Sequence, residues 1–271
     1  MLKQLENILK TEIDPAFTQR ARYIFKSIEV SKPKYILDAG CGRGFYSHMI
    51  AFFPFVNKIY GVDINKKYLQ VAQTHCTDKK IILKKSSIYT LPFADNYFDC
   101  IIFSEVLEHL SDEKKALTEL NRVLKKGGEL ILTVPNAHYP FFWDPLNWTL
   151  EKMIKKHIPK HIWWLAGIWA DHERLYSKKS LISLLKKHHF KIREIKESVH
   201  WCWPFSHFIL YGLGKNIVEK FKINDFNRFN FSEKNSLFSE FISFCFKLPS
   251  NLFDMSLQTK TSSNIIIKMN K

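Results

Sequence analysis

The stretch YILDAGCGRGFYS, residues 35–47, decides how the chain folds. It opens with an apolar run at residues 35–37 that is typical of a short strand, and Asp38 closes that run. The sequence GCGRG at residues 40–44 predicts a tight turn, because glycine accepts backbone angles that a side chain forbids. Apolar residues at helical spacing follow from Phe45. A strand, a glycine turn and a helix predict the first half of a βαβ unit, where the amides at the helix start favour a negative group.

Two kinds of cofactor use such a turn, and glycine spacing alone does not separate them. A dinucleotide-binding fold favours G-x-G-x-x-G, with an acidic residue about 20 positions further on. This chain has G-x-G-x-G, and Asp63 follows the next apolar run at residues 59–62. A carboxylate in that position can accept hydrogen bonds from both hydroxyls of a ribose.

The wider pattern resembles motifs of the class I S-adenosylmethionine-dependent methyltransferases. Besides the turn and Asp63, the chain has LPFADNYFDCIIFSEVLEHL at residues 91–110 and RVLKKGGELILTVPN at residues 122–136. These stretches are similar to the subgroup that includes quinone-biosynthesis methyltransferases, and together they cover about residues 30–137. The resemblance implies S-adenosylmethionine as cofactor and an α/β fold with a doubly wound, seven-stranded, mostly parallel sheet, a Rossmann-like methyltransferase fold.

The resemblance also implies where the cofactor lies. Asp63 would bind the ribose, Ile64 would cover one face of the adenine, and Ile88 would offer its backbone amide to that ring. The family usually has an acidic residue where this chain has Ser87, which accepts a hydrogen bond more weakly than a carboxylate. The implied cofactor-binding residues are Asp38, Gly40, Cys41, Gly42, Gly44, Asp63, Ile64, Ser87, Ile88, Ser104 and Glu105.

Catalysis needs a base only where the acceptor must lose a proton, because the sulfonium already activates the methyl group. The main task is then to align the acceptor and to exclude water. Three histidines are candidates for a base, in the order His172, His109 and His138, since imidazole titrates near neutrality. His172 is first because it lies in the polar cluster DHERLY, residues 171–176, and as a base it should have a pKa of about 6–7. The alternatives are that His172 anchors this segment and that His109 is a packing residue.

The chain is elaborated around this core. The predicted division is residues 1–30 as N-terminal helices, 31–137 as the cofactor-binding core, 138–176 as an aromatic lid, 177–199 as core continued, 200–262 as an apolar helical insertion and 263–271 as the final edge strand. Ser177 is predicted to cap the helix that follows it. The alternative for the aromatic segment is a small extra core. The helical insertion is predicted to lie on a membrane, to dimerise or to cap the substrate site.

Composition limits the partners. The net charge of +15 favours anionic partners, but seven of the 41 basic residues are Arg, which disfavours specific nucleic-acid binding. We therefore expect a small-molecule or lipid-like acceptor, with peripheral contact to an anionic membrane as a further expectation. The oligomeric state is left open.

The motifs leave two alternative functions open, and they also indicate the compartment. An RNA methyltransferase is one alternative, although SEVL stands at residues 104–107 in place of an N-P-P-Y-type motif. A catalytically silent scaffold is the other, and the glycine turn with Asp63 disfavours it. Five cysteines without a C-x-x-C pair indicate neither a disulfide framework nor a zinc site, so no metal is predicted. A reducing cytoplasmic location is expected, because the N-terminus lacks a signal-peptide pattern.

Overall fold

A seven-stranded sheet lies at the centre of the molecule in the computed structural model, which describes residues 2–162, 165–214, 229, 236–254 and 259–271. The strands are β1 (Tyr35–Ala39), β2 (Lys58–Asp63), β3 (Ile81–Lys85), β4 (Phe98–Ser104), β5 (Leu124–Pro135), β6 (Lys191–Ser198) and β7 (Asn264–Asn270). Their order across the sheet is β3-β2-β1-β4-β5-β7-β6. Strand β7 runs antiparallel to both of its neighbours, and the pairs among β1 to β5 are parallel. The predicted fold class is confirmed.

Helices pack against the sheet, and two of them precede its first strand in the chain. They are α1 (Leu2–Thr11), α2 (Pro15–Ser31), α3 (Phe45–Ile50), α4 (Lys66–His75), α5 (Glu113–Val123), α6 (Pro145–Ile154), α7 (Lys178–Lys187) and α8 (Leu237–Phe253). Short 3₁₀ turns span Leu107–His109 and Gly167–Trp169, and a π-helical segment spans Phe208–Gly214. The predicted cap of α7 is confirmed, since Ser177 Oγ accepts a hydrogen bond from the amide of Ser180 at 3.1 Å.

Strand β4 shows why the centre of the sheet is stable. Its residues are almost continuously apolar, as expected for a strand that is covered on both faces. Ile101 and Phe103 pack into the apolar core on one face, while Cys100 and Ile102 pack into the core on the other. All four side chains are fully buried. This strand therefore holds the residues that follow it, from Glu105 onward, in a defined place at the carboxyl ends of the parallel strands.

One predicted helix cap is wrong. The amphipathic pattern predicts a helix over residues 113–124, and α5 confirms it with Leu124 as its C-cap, but the sequence KKGG at residues 125–128, predicted to cap it, belongs to β5. The pairing of β5 with β4 begins at Leu124 and shifts register before Glu129. Gly127 has a φ of +77° within this irregularity. A β-bulge uses such a glycine as readily as a helix end does, so strand pairing decided the outcome.

The aromatic segment contributes to a third apolar cluster. Tyr139, Trp143 and Ile168 are buried there against Ala16 of α2 and Leu210 of the π-helical segment. Part of the segment is thus a small core, as the alternative interpretation expected. Its role as a lid stays a prediction, and the predicted aromatics at positions 163 and 164 lie outside the described residues.

The apolar insertion differs from its prediction in its first half. The apolar residues at 201–211 and 237–245 predict two helices in this insertion. The first is not regular, because Pro204 disfavours the helical conformation of the residue before it. Phe205 has a φ of +61°, and the helical turns begin only afterwards. The second predicted helix is confirmed as α8, which packs on α1. Within the described residues, no helix is both long and apolar enough to cross a bilayer.

Candidate functional site

The glycine turn is held by strand β2. The amides of Gly40 and Cys41 both donate to the carbonyl of Val62, at 2.8 and 2.9 Å. Gly40, Gly42 and Gly44 have φ angles of +75°, +52° and +84°, which favour glycine at each position. The turn is therefore a fixed loop at the carboxyl ends of β1 and β2.

The three glycines face different surroundings. A Cβ atom at Gly40 would lie 2.4 Å from a methyl carbon of Val106, and one at Gly44 would lie 2.7 Å from Cys76 Sγ. A Cβ atom at Gly42 would meet no atom within 4 Å. The outer two glycines thus permit close packing within the protein. The backbone at Gly42 borders open space, where a ligand can approach it.

Asp38 stabilises the start of the helix that follows the turn. One oxygen of its carboxyl group, Oδ2, accepts hydrogen bonds from the amide of Ser47 at 3.0 Å and from its hydroxyl at 2.7 Å. Burial raises the pKa of Asp38 to about 6. In this structure the residue holds the first turn of α3, and a direct contact with the cofactor stays a prediction.

Asp63 connects the turn to the end of β2. Its Oδ2 atom accepts from the amide of Gly42 at 2.8 Å, and its Oδ1 atom accepts from the amide of Asn65 at 2.7 Å. Each carboxylate oxygen has a second lone pair, so the group can still accept from ribose hydroxyls. The neighbouring Ile64 is 69% exposed, which is unusual for an isoleucine and fits the expected cover for an adenine ring.

The next two predicted cofactor residues lie at the end of β3. The hydroxyl of Ser87 accepts a hydrogen bond from the amide of Tyr89 at 3.2 Å. Ile88 is buried. The hydroxyl thus has a local partner, and its predicted bond to the adenine amino group stays a prediction.

Glu105 ties three parts of the chain together. Its carboxylate accepts hydrogen bonds from Thr133 Oγ1 at 2.8 Å and from Asn264 Nδ2 at 3.0 and 3.1 Å. Arg20 Nη1 of α2 lies 3.5 Å from the same group. The predicted Ser104 is also engaged, with its hydroxyl 2.9 Å from Thr133 Oγ1. These contacts connect the ends of strands β4, β5 and β7 with helix α2.

The DHERLY cluster docks on the EVLEHL stretch that follows β4. The amide of Glu173 donates to the carbonyl of Glu108 at 2.9 Å, and Nδ1 of His109 bonds to the carbonyl of Asp171 at 2.8 Å. Arg174 Nη1 donates to the carbonyl of Leu110 at 2.5 Å. One main-chain bond and two side-chain-to-main-chain bonds thus join two stretches that lie more than sixty positions apart.

This docking brings two of the three predicted histidines together. The ring centroids of His109 and His172 are 4.7 Å apart. Nδ1 of His172 lies 2.5 Å from the carbonyl of Ile168. A carbonyl can only accept, so Nδ1 carries the proton in both rings and each Nε2 has the free lone pair. His138 is exposed and lies outside this cluster.

Sequence reasoning missed Glu108, which forms a cluster with His109 and His172. Its side chain is fully buried, and among the described residues neither carboxyl oxygen has a hydrogen-bond partner. Nε2 of His109 lies 3.9 Å from Oε1 of Glu108. Burial, and then the nearby Glu105, raise the pKa of Glu108 well above its usual range. An acidic residue inside an otherwise apolar stretch, next to a histidine, was the only signal in the sequence.

The expected pKa of His172 is wrong. Burial, with the adjacent His109 as the next cause, lowers the pKa of His172 to about 4. The ring is therefore neutral at pH 7, but it accepts a proton far less readily than an ordinary histidine. The methyl-transfer rate is thus not expected to rise with pH through a pKa of about 6–7.

A cleft of about 320 Å³ opens beside His172. Its aromatic side is a stacked pair, His157 on Trp169, with ring centroids 3.8 Å apart and an angle of 9° between the rings. Lys160 and Glu173 form an ion pair of 2.5 Å at its rim. The size suits a small molecule or the ring of a larger one.

The fold is that of the class I S-adenosylmethionine-dependent methyltransferases. The strand order, the antiparallel β7, the glycine turn after β1 and the acid after β2 belong to that class. Residues 37–132 match the family described as a methyltransferase domain, so the sequence resemblance is confirmed.

Known relatives support the same assignment. The chain is 33% identical over 142 residues to an uncharacterized methyltransferase, YcgJ of Bacillus subtilis, covering 51% of this chain and 54% of that one. The solved structure of YcgJ superposes with a TM-score of 0.57 at 22% identity, covering 93% of this chain and 98% of that chain.

Two further relatives have names that mention quinones. The chain is 31% identical over 166 residues to the ubiquinone/menaquinone biosynthesis C-methyltransferase UbiE of Francisella tularensis subsp. novicida, covering 59% of this chain and 62% of that one. It is 33% identical over 128 residues to a mitochondrial ubiquinone biosynthesis O-methyltransferase of Candida albicans, covering 45% and 37%. The chain thus spans roughly half of the length of the curated relatives that it matches.

Proposed function

We propose that the protein transfers the methyl group of S-adenosylmethionine to a small or lipid-like acceptor. The observation that carries this proposal is the contact between the glycine turn and the EVLEHL stretch. Gly40 packs so closely on Val106 that a Cβ atom would lie 2.4 Å from it, and Glu108 and His109 follow two and three positions later. This contact supports the proposal because it joins the predicted cofactor turn to the stretch whose His109 contacts His172 and its cleft.

The residues present fit the cofactor. Gly42 leaves its backbone open to a ligand, Asp63 keeps lone pairs for ribose hydroxyls, and Ile64 offers an exposed apolar side chain beside them. Bound there, S-adenosylmethionine would supply a methyl group on a positively charged sulfur. The protein's own task is then to hold the acceptor in line and to keep water out.

The acceptor cleft suits an aromatic ring. Trp169 and His157 line it as a stacked pair, and stacked or edge contacts between such rings and a further ring are favourable. The names of the two relatives that mention ubiquinone point to ring acceptors of the same kind. We therefore propose a phenol, a quinol or a related ring, free or attached to a lipid chain, as the acceptor class.

The test is a methyl-transfer assay with isotopically labelled S-adenosylmethionine and a panel of phenols and quinols. A product that is heavier by one labelled CH₂, detected by mass spectrometry, is the expected result. Transfer to tRNA but to none of the ring compounds would contradict the proposal and favour the RNA methyltransferase alternative. Cofactor binding without transfer to any compound in a cell extract would favour a scaffold role.

A further inference from the structure

We propose that Glu108, His109 and His172 bind a divalent transition-metal ion. One ring nitrogen of each histidine and one carboxylate oxygen of Glu108 lie within 4.8 Å of one another. Glu108 supplies an independent sign of a missing ligand, because its fully buried carboxyl oxygens have no hydrogen-bond partner among the described residues. A buried polar group without a partner destabilises the fold, so such groups point to something that completes them.

The hydrogen bonds around the cluster prepare it for a cation. Both histidines use Nδ1 to bond a main-chain carbonyl, at 2.8 Å from Asp171 and 2.5 Å from Ile168. These bonds orient each ring and leave its Nε2 atom available as a ligand. Ligating histidines in metal sites are oriented by the same kind of outer bond.

The donor set selects the kind of ion. Two imidazole nitrogens and one carboxylate suit Zn²⁺, Mn²⁺, Fe²⁺ or Co²⁺, whereas Mg²⁺ and Ca²⁺ prefer oxygen ligands. Bonds of about 2.0–2.2 Å place neighbouring ligand atoms roughly 3–3.5 Å apart. The 3.9 Å between His109 Nε2 and Glu108 Oε1 lies slightly above that range, so ion binding would require a small shift of the His109 side chain, which is 40% exposed.

Three protein ligands leave a coordination position open, and the adjacent cleft borders His172. This part of the inference rests on the proposed function. A hydroxyl of the acceptor ring bound at the open position would lose its proton to solvent more readily, because a divalent cation lowers the pKa of a bound hydroxyl. The oxygen would then form a bond to the methyl carbon as the sulfur–methyl bond breaks, with the electron pair left on sulfur as a thioether. The site thus favours O-methylation of a hydroxylated ring.

Metal binding is tested on the untagged full chain after treatment with a chelator, by calorimetric titration with Zn²⁺ and with Mn²⁺. We expect one ion per chain, and Co²⁺ should give a visible absorption band of a nitrogen- and oxygen-ligated site. Glu108→Gln, which is isosteric and uncharged, and His172→Ala should each weaken binding at least about tenfold. His189→Asn is the matched control, since His189 is exposed with a φ of +64° that asparagine tolerates.

His109→Ala provides a second variant for the case that a change at the buried Glu108 or His172 prevents folding, because its side chain is 40% exposed. Circular dichroism and titration with S-adenosylmethionine show whether each variant is folded. Absence of ion binding in the unmodified chain, or equal binding by the variants and the control, would overturn the proposal. Binding of S-adenosylmethionine by the ion-free chain separates this outcome from failure of the methyltransferase proposal. An ion that binds while transfer to a hydroxyl persists at full rate in chelator would overturn the catalytic part.

Discussion

Asp63 is the residue on which the cofactor assignment can be tested most directly. Its two oxygens already accept the amides of Gly42 and Asn65, at 2.8 and 2.7 Å, and these bonds aim the carboxylate at the end of the turn. One side chain therefore shapes the loop and is also the predicted ligand of the ribose. Loss of the carboxylate should affect both roles.

We expect Asp63→Ala to weaken binding of S-adenosylmethionine by on the order of 2–4 kcal/mol, because two hydrogen bonds to a charged acceptor are lost. Calorimetric titration measures the dissociation constant directly. Asp78→Ala is the control, since Asp78 is an exposed aspartate in a turn away from this site. Equal dissociation constants for Asp63→Ala and the unmodified chain would remove Asp63 from the cofactor site.

The limits of sequence reasoning are clearest at this scale. Asp63 and the glycines could be assigned because each stands in a short local pattern whose geometry follows from backbone chemistry. Glu108 and His172 could not be brought together in this way. They meet because two distant stretches dock on each other, through the amide of Glu173 on the carbonyl of Glu108 and the ring of His109 on the carbonyl of Asp171. The lowered pKa of His172 has the same origin, since burial depends on packing that no local pattern records.

At the scale of elements, periodicity succeeded where the chain is regular and failed where a single residue interrupts it. The apolar runs at residues 98–103 and 237–245 predict a strand and a helix, and both exist, as β4 and α8. Pro204 interrupts the helix predicted before α8, and the bulge at Gly127 places the predicted glycine cap of α5 in strand β5. Proline and glycine act on the backbone at one position, so a pattern averaged over a window overlooks them.

Helix α8 is fixed to the rest of the chain by polar contacts to α1. Lys247 Nζ donates to the carbonyl of Leu9 at 2.7 Å, and Ser243 Oγ donates to the carbonyl of Glu12 at 2.7 Å. Lys247 is only 7% exposed, and burial lowers its pKa to about 8 from 10.5. The contact of α8 with α1 should therefore depend on pH.

Between pH 8 and 10.5 the unfolded chain binds more protons at Lys247 than the folded chain does, so this residue makes the free energy of unfolding rise with pH. Relative to Lys247→Gln, the unmodified chain should gain up to about 3 kcal/mol across that window. Urea unfolding at pH 7.5, 9 and 10 measures the difference. Lys186→Gln, at an exposed position of α7, is the control. A difference that stays constant with pH for Lys247→Gln would contradict the lowered pKa.

Across the whole molecule, helix α8 exposes an apolar surface, and the chain as a whole carries a strongly basic net charge. The residues Leu237, Phe238, Phe241 and Phe244 are 86%, 69%, 65% and 54% exposed. Trp203, itself 45% exposed, donates its indole N–H to the carbonyl of Cys245 at 2.9 Å, so the apolar surface continues past the helix. Contiguous exposed apolar surface of this kind is unusual on a protein that remains in water alone.

The expected membrane contact would use this surface together with the net charge of +15. An amphipathic helix inserts its apolar side at the lipid interface, while basic residues are attracted to anionic headgroups. We therefore predict that the protein sediments with phosphatidylserine-containing vesicles at low salt, less with phosphatidylcholine vesicles, and less again at high salt, where surface charges are screened.

The double variant Phe238→Ser, Phe241→Ser should remove most of this binding without loss of stability, because both side chains are exposed. Met153→Ser, at a 77% exposed apolar position on α6, is the matched control. Equal sedimentation with neutral and anionic vesicles would contradict the electrostatic part of the prediction. If the double variant sediments like the unmodified chain, α8 is not the contact. If sedimentation velocity shows that the unmodified chain is a dimer and the double variant a monomer, the apolar surface pairs with a second copy instead.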